Sequence, residues 1–395
     1  MRRVFVITAT TASFIGLAAA WFWFTGLPMH GVNPPASGIV GAIGDAATDP
    51  ARREFFASSG QRVVPFQILY PASAPGRAVP YVPDAEPVLA AIERNQGRLV
   101  GRALARIGAI TAPWTEGARP GANGPFPVVV YLPGVTGYMQ MSSFQTAALA
   151  VDGFVVVTLN QPGNVAAARL PDGRVIMGMS RDEAIELIAP SYRPVSLPPN
   201  LAARLAPERS IVPYLAADVP LVIDRLSAIN ADPRHPLYGL LDLEAIGVMG
   251  VSLGAIVAAQ ACQNARIKAC LMMDAPVPSG IANAGLRKPA LWLTRTAADQ
   301  RAERAASGGW PEEEIAAQAE SIARAVLNIR QARVVTLTGL YHVDFTDLPE
   351  IQPLLGRAGQ AGPIGTSQAH RDILRPTMAF FRTMKATRNP ATQRN

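Results

Sequence analysis

Short apolar runs without polar alternation recur along most of this 395-residue chain, and they alternate with alanine-rich stretches of helical character. The runs occupy 128–132, 154–159, 245–249, 267–273, 290–294 and 333–337, and the helical stretches include 143–151, 217–229 and 253–263. Strands that are apolar on both faces suit a parallel sheet covered by helices on each side. The alternation therefore predicts an α/β fold with an open, doubly wound, mostly parallel sheet.

The ends of this pattern are less regular. Residues 62–70 predict a strand, which Pro65 should confine to an edge of the sheet because proline cannot donate to a strand ladder. A last helix is expected near 369–384. We therefore expect one domain over 60–388, followed by a short tail at 389–395.

Two stretches lack the strand–helix pattern. Residues 28–59 are rich in Gly, Pro, Ala and Asp and predict a linker into the domain. Residues 163–213 are rich in proline and precede the strand that leads to Ser252. We expect this insertion to form a cap over the site, the alternative being a surface excursion that does not contact substrate.

The N-terminal segment indicates a destination outside the cytosol. Arg2 and Arg3 precede an uncharged stretch that is long enough to cross a hydrocarbon core of about 30 Å. Initial positive charge predicts that the N-terminus stays inside and the rest is exported. Residues 1–27 are expected to be an uncleaved membrane anchor or, if cut near 18–20, a cleaved signal peptide. The protein would then face the periplasm or the extracellular side from the inner membrane, or be secreted.

Charge does not indicate a nucleic-acid partner. The net charge is +7, but the arginines are scattered and often stand beside acids rather than forming a basic face with aromatics. The two cysteines, Cys262 and Cys270, fit no zinc pattern. We expect them to be two buried free thiols, and the alternative is a disulfide, which a protein outside the cytosol can form. No metal or cofactor is implied, and the oligomeric state stays open.

The segment Gly250-Val251-Ser252-Leu253-Gly254 carries the chemical prediction. It follows an apolar strand and opens an alanine-rich helix, which is the context of a nucleophile elbow. A serine on so sharp a turn leaves no room for side chains two positions away, so Gly250 and Gly254 are expected there. Ser252 is the predicted nucleophile, and an ordinary glycine-rich turn is the alternative.

A serine hydroxyl needs a base, and the chain has four histidines. His342 follows the last predicted strand, at the carboxyl edge of the sheet where Ser252 would also lie. His30 flanks the N-terminal apolar segment, and His235 precedes the nucleophile strand. His370 opens the last helix and is expected to face solvent. His342 is therefore the predicted base.

Two acids fit the chain order Ser–Asp–His. Asp274 ends the strand after the nucleophile helix, and Asp299 follows the next strand, where a helix cap is its alternative role. Asp344 is too close to His342 in sequence and is expected to brace its loop. Position in the chain alone leaves Asp274 and Asp299 both open.

The oxyanion that forms during acyl transfer needs two N–H donors. Leu253, the residue after the serine, supplies one. The loop 133–137 follows an apolar strand, and Val135 within it is the predicted second donor. The glycines of that loop would also suit a plain turn.

Taken together, these residues resemble the platelet-activating factor acetylhydrolase branch of the α/β-hydrolases, in particular its bacterial relatives, over about 49–381. The likeness lies in DPARREF…VPFQILYPA leading to PYVPD, in YLPGVTGYMQMSSFQTAALAVDGFVVVTLNQPG, and in GVSLG, LMMDAPVP and YHVDFTDLP. The resemblance implies the α/β-hydrolase fold and a carboxylic ester substrate, either small or a lipid. It also implies Ser252 as nucleophile, Asp274 rather than Asp299 as acid, and His342 as base.

This sequence departs from that family at two turns. Pro133-Gly134 stands where the family commonly has His-Gly, and Asn160-Gln161-Pro162 replaces a charged turn. Both changes leave the predicted backbone N–H donor of Val135 in place, but they are expected to affect substrate preference. A peptidase, amidase or polyester hydrolase on the same fold is therefore an alternative, as is an inactive membrane-anchored binding protein.

Overall fold

A computed structural model describes residues 29–33, 37–192 and 211–386. The strands are β1 (Ile39–Arg53), β2 (Gln61–Ala74), β3 (Arg77–Pro80), β4 (Thr111–Glu116), β5 (Arg119–Pro120), β6 (Phe126–Leu132), β7 (Val155–Leu159), β8 (Ala167–Arg169), β9 (Val175–Met177), β10 (Leu241–Val251), β11 (Ile267–Met273), β12 (Ala290–Arg295) and β13 (Ala332–Leu337). The helices are α1 (Ala85–Gln96), α2 (Arg98–Ala103), α3 (Ser143–Val151), α4 (Arg181–Ile188), α5 (Ile211–Ala216), α6 (Asp218–Ala231), α7 (Leu253–Ala261), α8 (Ser279–Ala284), α9 (Ala297–Ser307), α10 (Glu312–Asn328), α11 (Leu348–Ile351), α12 (Leu354–Arg357) and α13 (Thr366–Ala386).

Most strands join one 11-stranded sheet in the order β13-β12-β11-β10-β6-β7-β2-β1-β4-β3, with β5 paired to β2. The block from β13 to β7 is parallel throughout. β2 runs antiparallel to both of its neighbours, β7 and β1. Strands β8 and β9 form a separate hairpin. The predicted doubly wound, mostly parallel sheet is confirmed.

Helices cover both faces of the parallel block. Along β6, Val128, Val130 and Leu132 enter one hydrophobic core together with buried residues of α6 and α7. Val129 and Tyr131 point the other way, into a second core with α3 and α13. Because both faces are covered, the strand has no polar alternation, and every residue of β6 is buried.

The linker predicted at 28–59 is wrong over most of its length, because β1 lies within it. This strand pairs with β2 from Ile39 opposite Ala72 to Arg53 opposite Gln61. At Gly41 in this strand, packing rather than flexibility requires glycine. A Cβ on Gly41 would lie 2.3 Å from the ring of Tyr70, which occupies that space.

Strand β2 is also not the edge strand that Pro65 predicts, since β1 and β7 flank it. The ladder with β7 begins at Phe66, and the Pro65 carbonyl accepts the N–H of Asn160 just beyond the end of β7. The missing N–H of Pro65 therefore falls where β7 has already ended. An interior strand tolerates proline at such a position.

Cys262 and Cys270 form a disulfide, so the favoured free thiols are wrong. Cys262 caps the C-terminal end of α7 and Cys270 lies in β11, and their Cα atoms are 6.1 Å apart. The bond ties the helix that follows Ser252 to the strand that ends before Asp274.

Within residues 29–33, 37–192 and 211–386, no helix has the length and apolar character needed to cross a bilayer. The anchor or signal peptide predicted at 1–27 lies outside these ranges, and so does the tail predicted at 389–395.

Candidate active site

Ser252 stands on a sharp turn between β10 and α7. Its φ is 56° and its ψ −127°, a strained conformation for a residue with a side chain. A Cβ on Gly250 would lie 2.2 Å from the Gly254 carbonyl oxygen, and a Cβ on Gly254 would lie 2.0 Å from that of Leu132. The structure thus gives both glycines the role that the sequence motif predicts.

Backbone strain is concentrated at this edge of the sheet. In the described ranges, the non-glycine residues with positive φ are Thr136, Ser252 and Asp274, at 57°, 56° and 48°. They follow β6, β10 and β11, three neighbouring strands of the parallel block. Strained residues cluster where a site requires a fixed geometry.

The structure brings His342 to Asp274. His342 begins a short 3₁₀ turn after β13, and its Nδ1 lies 2.6 Å from Asp274 Oδ2. Asp299 is placed elsewhere, in a cap at the start of α9. Its N–H donates to Thr296 Oγ1 at 3.0 Å, and its carboxylate accepts from the same hydroxyl at 2.6 Å. The alternative acid Asp299 therefore bonds to Thr296, the N-cap residue of α9, rather than to a histidine.

Ser252 and His342 line one open cleft of about 530 Å³. The His342 side chain is 28% exposed, and the Trp310 ring meets it edge-to-face with centroids 6.0 Å apart. In the part of the chain that the structure describes, no hydrogen bond joins Ser252 Oγ to the imidazole. Such contacts are often long without substrate and tighten in the reacting complex.

The loop after β6 lies against the serine. A Cβ on Gly134 would lie 3.1 Å from Ser252 Cβ, and Val135 lines the cleft together with Ser252. Leu253 is the first residue of α7, where N–H groups have no partner within the helix. The predicted donors Leu253 and Val135 therefore both border Ser252.

Asn164, which the sequence analysis did not identify, holds this loop at two points. Its side-chain Nδ2 donates to the Pro133 carbonyl at 3.0 Å, and its backbone carbonyl accepts the Thr136 N–H at 2.8 Å. The side chain is fully buried. Asn164 lies two residues beyond the Asn160-Gln161-Pro162 turn, and no sequence motif marks it.

Asp274 is fully buried and has further partners. Arg295 Nε donates to Asp274 Oδ2 at 2.8 Å, and Gln318 Nε2 donates to Oδ1 at 3.3 Å. Burial by itself would raise the pKa of Asp274, but the Arg295 charge and the His342 hydrogen bond hold it well below its usual range. Asp274 is thus a carboxylate throughout the physiological pH range.

The remaining predicted residues near the site are structural. Asp344 Oδ2 accepts the N–H groups of Tyr341 and Gly362, which braces the His342 loop as expected. The expectation that His370 faces solvent is wrong. Its ring stacks on Phe144 with centroids 3.8 Å apart, and burial lowers its pKa to about 4.

The proline-rich insertion reaches the site. Ala184, Ile188 and Tyr192 line a small apolar cavity of about 60 Å³ that also borders Ser252. Tyr192 OH donates to Glu314 Oε2 at 2.7 Å, which links the insertion to α10. The described part of the insertion therefore does contact the pocket. Within the described ranges, no group of three His, Cys, Asp or Glu side chains is arranged to hold a metal ion.

The sequence matches no protein-family model and no curated protein. Among solved structures, a ferulic acid esterase from Streptomyces cinnamoneus superimposes with a TM-score of 0.66 and 22% identity, over 89% of this chain and 92% of that one. A putative dienelactone hydrolase from Klebsiella pneumoniae is 12% identical over 86% of this chain and 98% of the other, but its TM-score is only 0.39. With the sheet order and the strand–serine–helix turn described above, the similarity to the esterase establishes that this chain has the α/β-hydrolase fold.

Proposed function

We propose that the protein is a serine carboxylic ester hydrolase. The observation that carries the proposal is the 2.6 Å contact between His342 Nδ1 and Asp274 Oδ2, at a cleft that Ser252 also lines. A buried carboxylate behind an imidazole fixes the ring tautomer and leaves Nε2 free to accept a proton. The strained elbow at Ser252 supplies a hydroxyl for that base to activate.

The proposed reaction proceeds through an acyl-enzyme. His342 removes the Ser252 proton while the oxygen attacks the ester carbonyl, and the Leu253 and Val135 N–H groups bind the resulting oxyanion. The intermediate collapses as His342 returns the proton to the leaving alcohol. Water, activated by the same imidazole, then adds to the acyl group and releases the acid and free Ser252.

The two cavities beside Ser252 suggest how the ester is oriented. His342 must protonate the leaving alcohol, so that group belongs in the 530 Å³ cleft, which His342 lines. The acyl group would then enter the 60 Å³ apolar cavity beneath Ile188 and Tyr192. This arrangement favours a compact acyl group, such as acetyl, on a bulkier alcohol. A feruloyl group, suggested by the name of the structural neighbour, is the larger acyl group to compare with acetyl.

Labelling with a fluorophosphonate tests the proposal, because such probes react with an activated serine. We expect the wild type to be modified at Ser252 and Ser252→Ala to be unmodified. Equal labelling of the two proteins would contradict a serine hydrolase and would favour the inactive binding protein.

A substrate panel then distinguishes esterase from amidase or peptidase activity and measures the preferred acyl chain length. It contains nitrophenyl acetate, butyrate and octanoate, a feruloyl ester and peptide nitroanilides. We expect nitrophenyl acetate to be cleaved best.

We also propose that the protein acts outside the cytosol. The buried Cys262–Cys270 disulfide supports this, since such bonds persist in oxidising compartments. The apolar segment predicted at 1–27 supports it too. Cell fractionation with N-terminal sequencing of the mature protein tests the proposal: a periplasmic, membrane or secreted fraction is expected, and recovery with cytosolic markers alone would contradict it.

A further inference from the structure

One carboxylate oxygen at the candidate site serves two donors. Asp274 Oδ2 lies 2.6 Å from His342 Nδ1 and 2.8 Å from Arg295 Nε. The side chains of Asp274 and Arg295 are both fully buried. A permanently charged guanidinium therefore competes with the imidazole for the same lone pairs, in surroundings that water does not screen.

Arg295 also contacts a second acid, which returns to His342. Arg295 Nη1 donates to Glu303 Oε2 at 2.7 Å, and Glu303 Oε1 accepts the backbone N–H of His342 at 3.0 Å. The contacts form a closed ring that runs through the end of β11, the end of β12, helix α9 and the His342 turn. Arg295 thus fixes the imidazole through its ring nitrogen and through its backbone.

The charges around His342 come from each element packed against it. Asp274 follows β11, Arg295 ends β12, Glu303 lies on α9, and Asp344 lies on the turn of His342 itself. Trp310 contributes an uncharged ring. Among these groups in the described part of the chain, Arg295 supplies the positive charge that offsets the carboxylates.

We propose that Arg295 is a positioning residue, which holds Asp274 and Glu303 around His342 and whose charge offsets part of the attraction of these two carboxylates for a proton on the imidazole. Two carboxylates without a nearby cation would stabilise imidazolium, which cannot act as a base. A cation bonded to the same oxygen cancels part of that attraction. Charges at this range change a titration by about one to three pH units. The inference rests on the proposed function, in which His342 is the base.

An NMR titration of the histidine rings in the full chain tests this without relying on catalysis. The chain has four histidines, and His342→Gln assigns the relevant signal. In Arg295→Met we expect the midpoint of the His342 titration to rise by about one pH unit or more, roughly a tenfold gain in proton affinity. The acid limb of kcat/KM for nitrophenyl acetate should move up in pH with it.

Two variants protect the test against misfolding. Arg295→Met leaves two buried carboxylates uncompensated, so Arg295→Met with Glu303→Gln removes one of them and should show a smaller rise in the same direction. Arg301→Met is the matched control, because Arg301 on α9 pairs with Glu312 at the exposed surface. In this variant the midpoint of the His342 titration should stay at the wild-type value. Midpoints in the single and double variants that equal the wild type would overturn the inference. Failure of the proposed function would appear separately, as no fluorophosphonate labelling of the wild type.

Discussion

Two buried arginines in this molecule each bridge a pair of carboxylates, but with different outcomes. Arg62 in β2 binds Asp218 through Nε and Nη2, and its Nη1 reaches Glu54 and the Pro162 carbonyl. Arg295 binds Asp274 and Glu303 through one nitrogen each, and its Nη2 has no partner in the described ranges.

The two clusters differ in the partners that their carboxylates have besides the buried arginine. At Arg62, Asp218 Oδ1 also accepts from Arg52, and both of its oxygens are taken up by cations. At Arg295, Asp274 also contacts His342, which is partly exposed and lines a cleft. The first cluster joins the β1–β2 hairpin to α6 and is a structural element. In the second cluster, Arg295 Nη2 lacks a partner within the described ranges, and Asp274 holds the His342 ring in place.

The largest expected effect is a loss of kcat that occurs in the Asp274 cluster and not in the Asp218 cluster. Asp274→Asn should reduce kcat by about 10⁴-fold, because the amide favours the wrong tautomer of His342. Asp218→Asn should leave kcat near the wild-type value while it lowers stability. Steady-state kinetics with nitrophenyl acetate, together with thermal unfolding, measures both. Comparable kcat values for the two variants would remove the distinction.

The same comparison can be made on stability. Arg62→Met should lower the free energy of unfolding by about 3–5 kcal/mol, because Glu54 and Asp218 lose their main buried partner. Arg225→Met, which removes an exposed pair with Asp45, should cost about 1 kcal/mol or less. Urea unfolding followed by circular dichroism provides the measurement. An Arg62 variant as stable as the Arg225 variant would show that the cluster is not structural.

The disulfide extends the comparison, since it ties the helix that follows Ser252 to the strand that precedes Asp274 yet should act only on stability. Replacing Cys262 and Cys270 together by alanine should cost about 2–3 kcal/mol, the entropy of closing a short loop. The kcat of the folded fraction should be unchanged. If kcat fell and the urea midpoint stayed constant, the bond would serve the site rather than the fold.

A smaller loss of kcat than that of Asp274→Asn is expected at the loop that Asn164 holds. Asn164→Ala should reduce kcat by about 10- to 100-fold, less than the 10²–10³ expected for a direct oxyanion donor. Asn230→Ala is the control, because the Asn230 side chain also bonds to backbone, that of Leu241, but away from the site. Equal kcat losses in the two variants would point to a general loss of stability instead.

The parallel block was predictable because its strands are apolar on both faces and its connections are helices. Strand β1 was not, since Gly41 looks like a flexible residue until the ring of Tyr70 is placed against it. Strand β2 was predicted, but its position at the edge of the sheet was wrong, because the sequence does not show that Pro65 lies opposite the end of β7.

Some residues of the candidate site could also be predicted from the sequence, and others could not. Ser252 and its two glycines form a local motif, so spacing along the chain predicts them. Asp274 and Asp299 both follow strands at one edge, and only the packed structure turns one toward His342 and the other into a cap. Arg295, Glu303 and Asn164 act through contacts between distant segments, which residue spacing does not encode. The disulfide likewise depends on how α7 packs on β11.

A crystal structure of the fluorophosphonate adduct tests the central claim most directly. The account predicts a phosphorus–oxygen bond to Ser252 Oγ, with the phosphoryl oxygen about 3 Å from the Leu253 and Val135 nitrogens and His342 Nε2 facing the adduct. An adduct on another residue, or a phosphoryl oxygen directed away from both nitrogens, would contradict it.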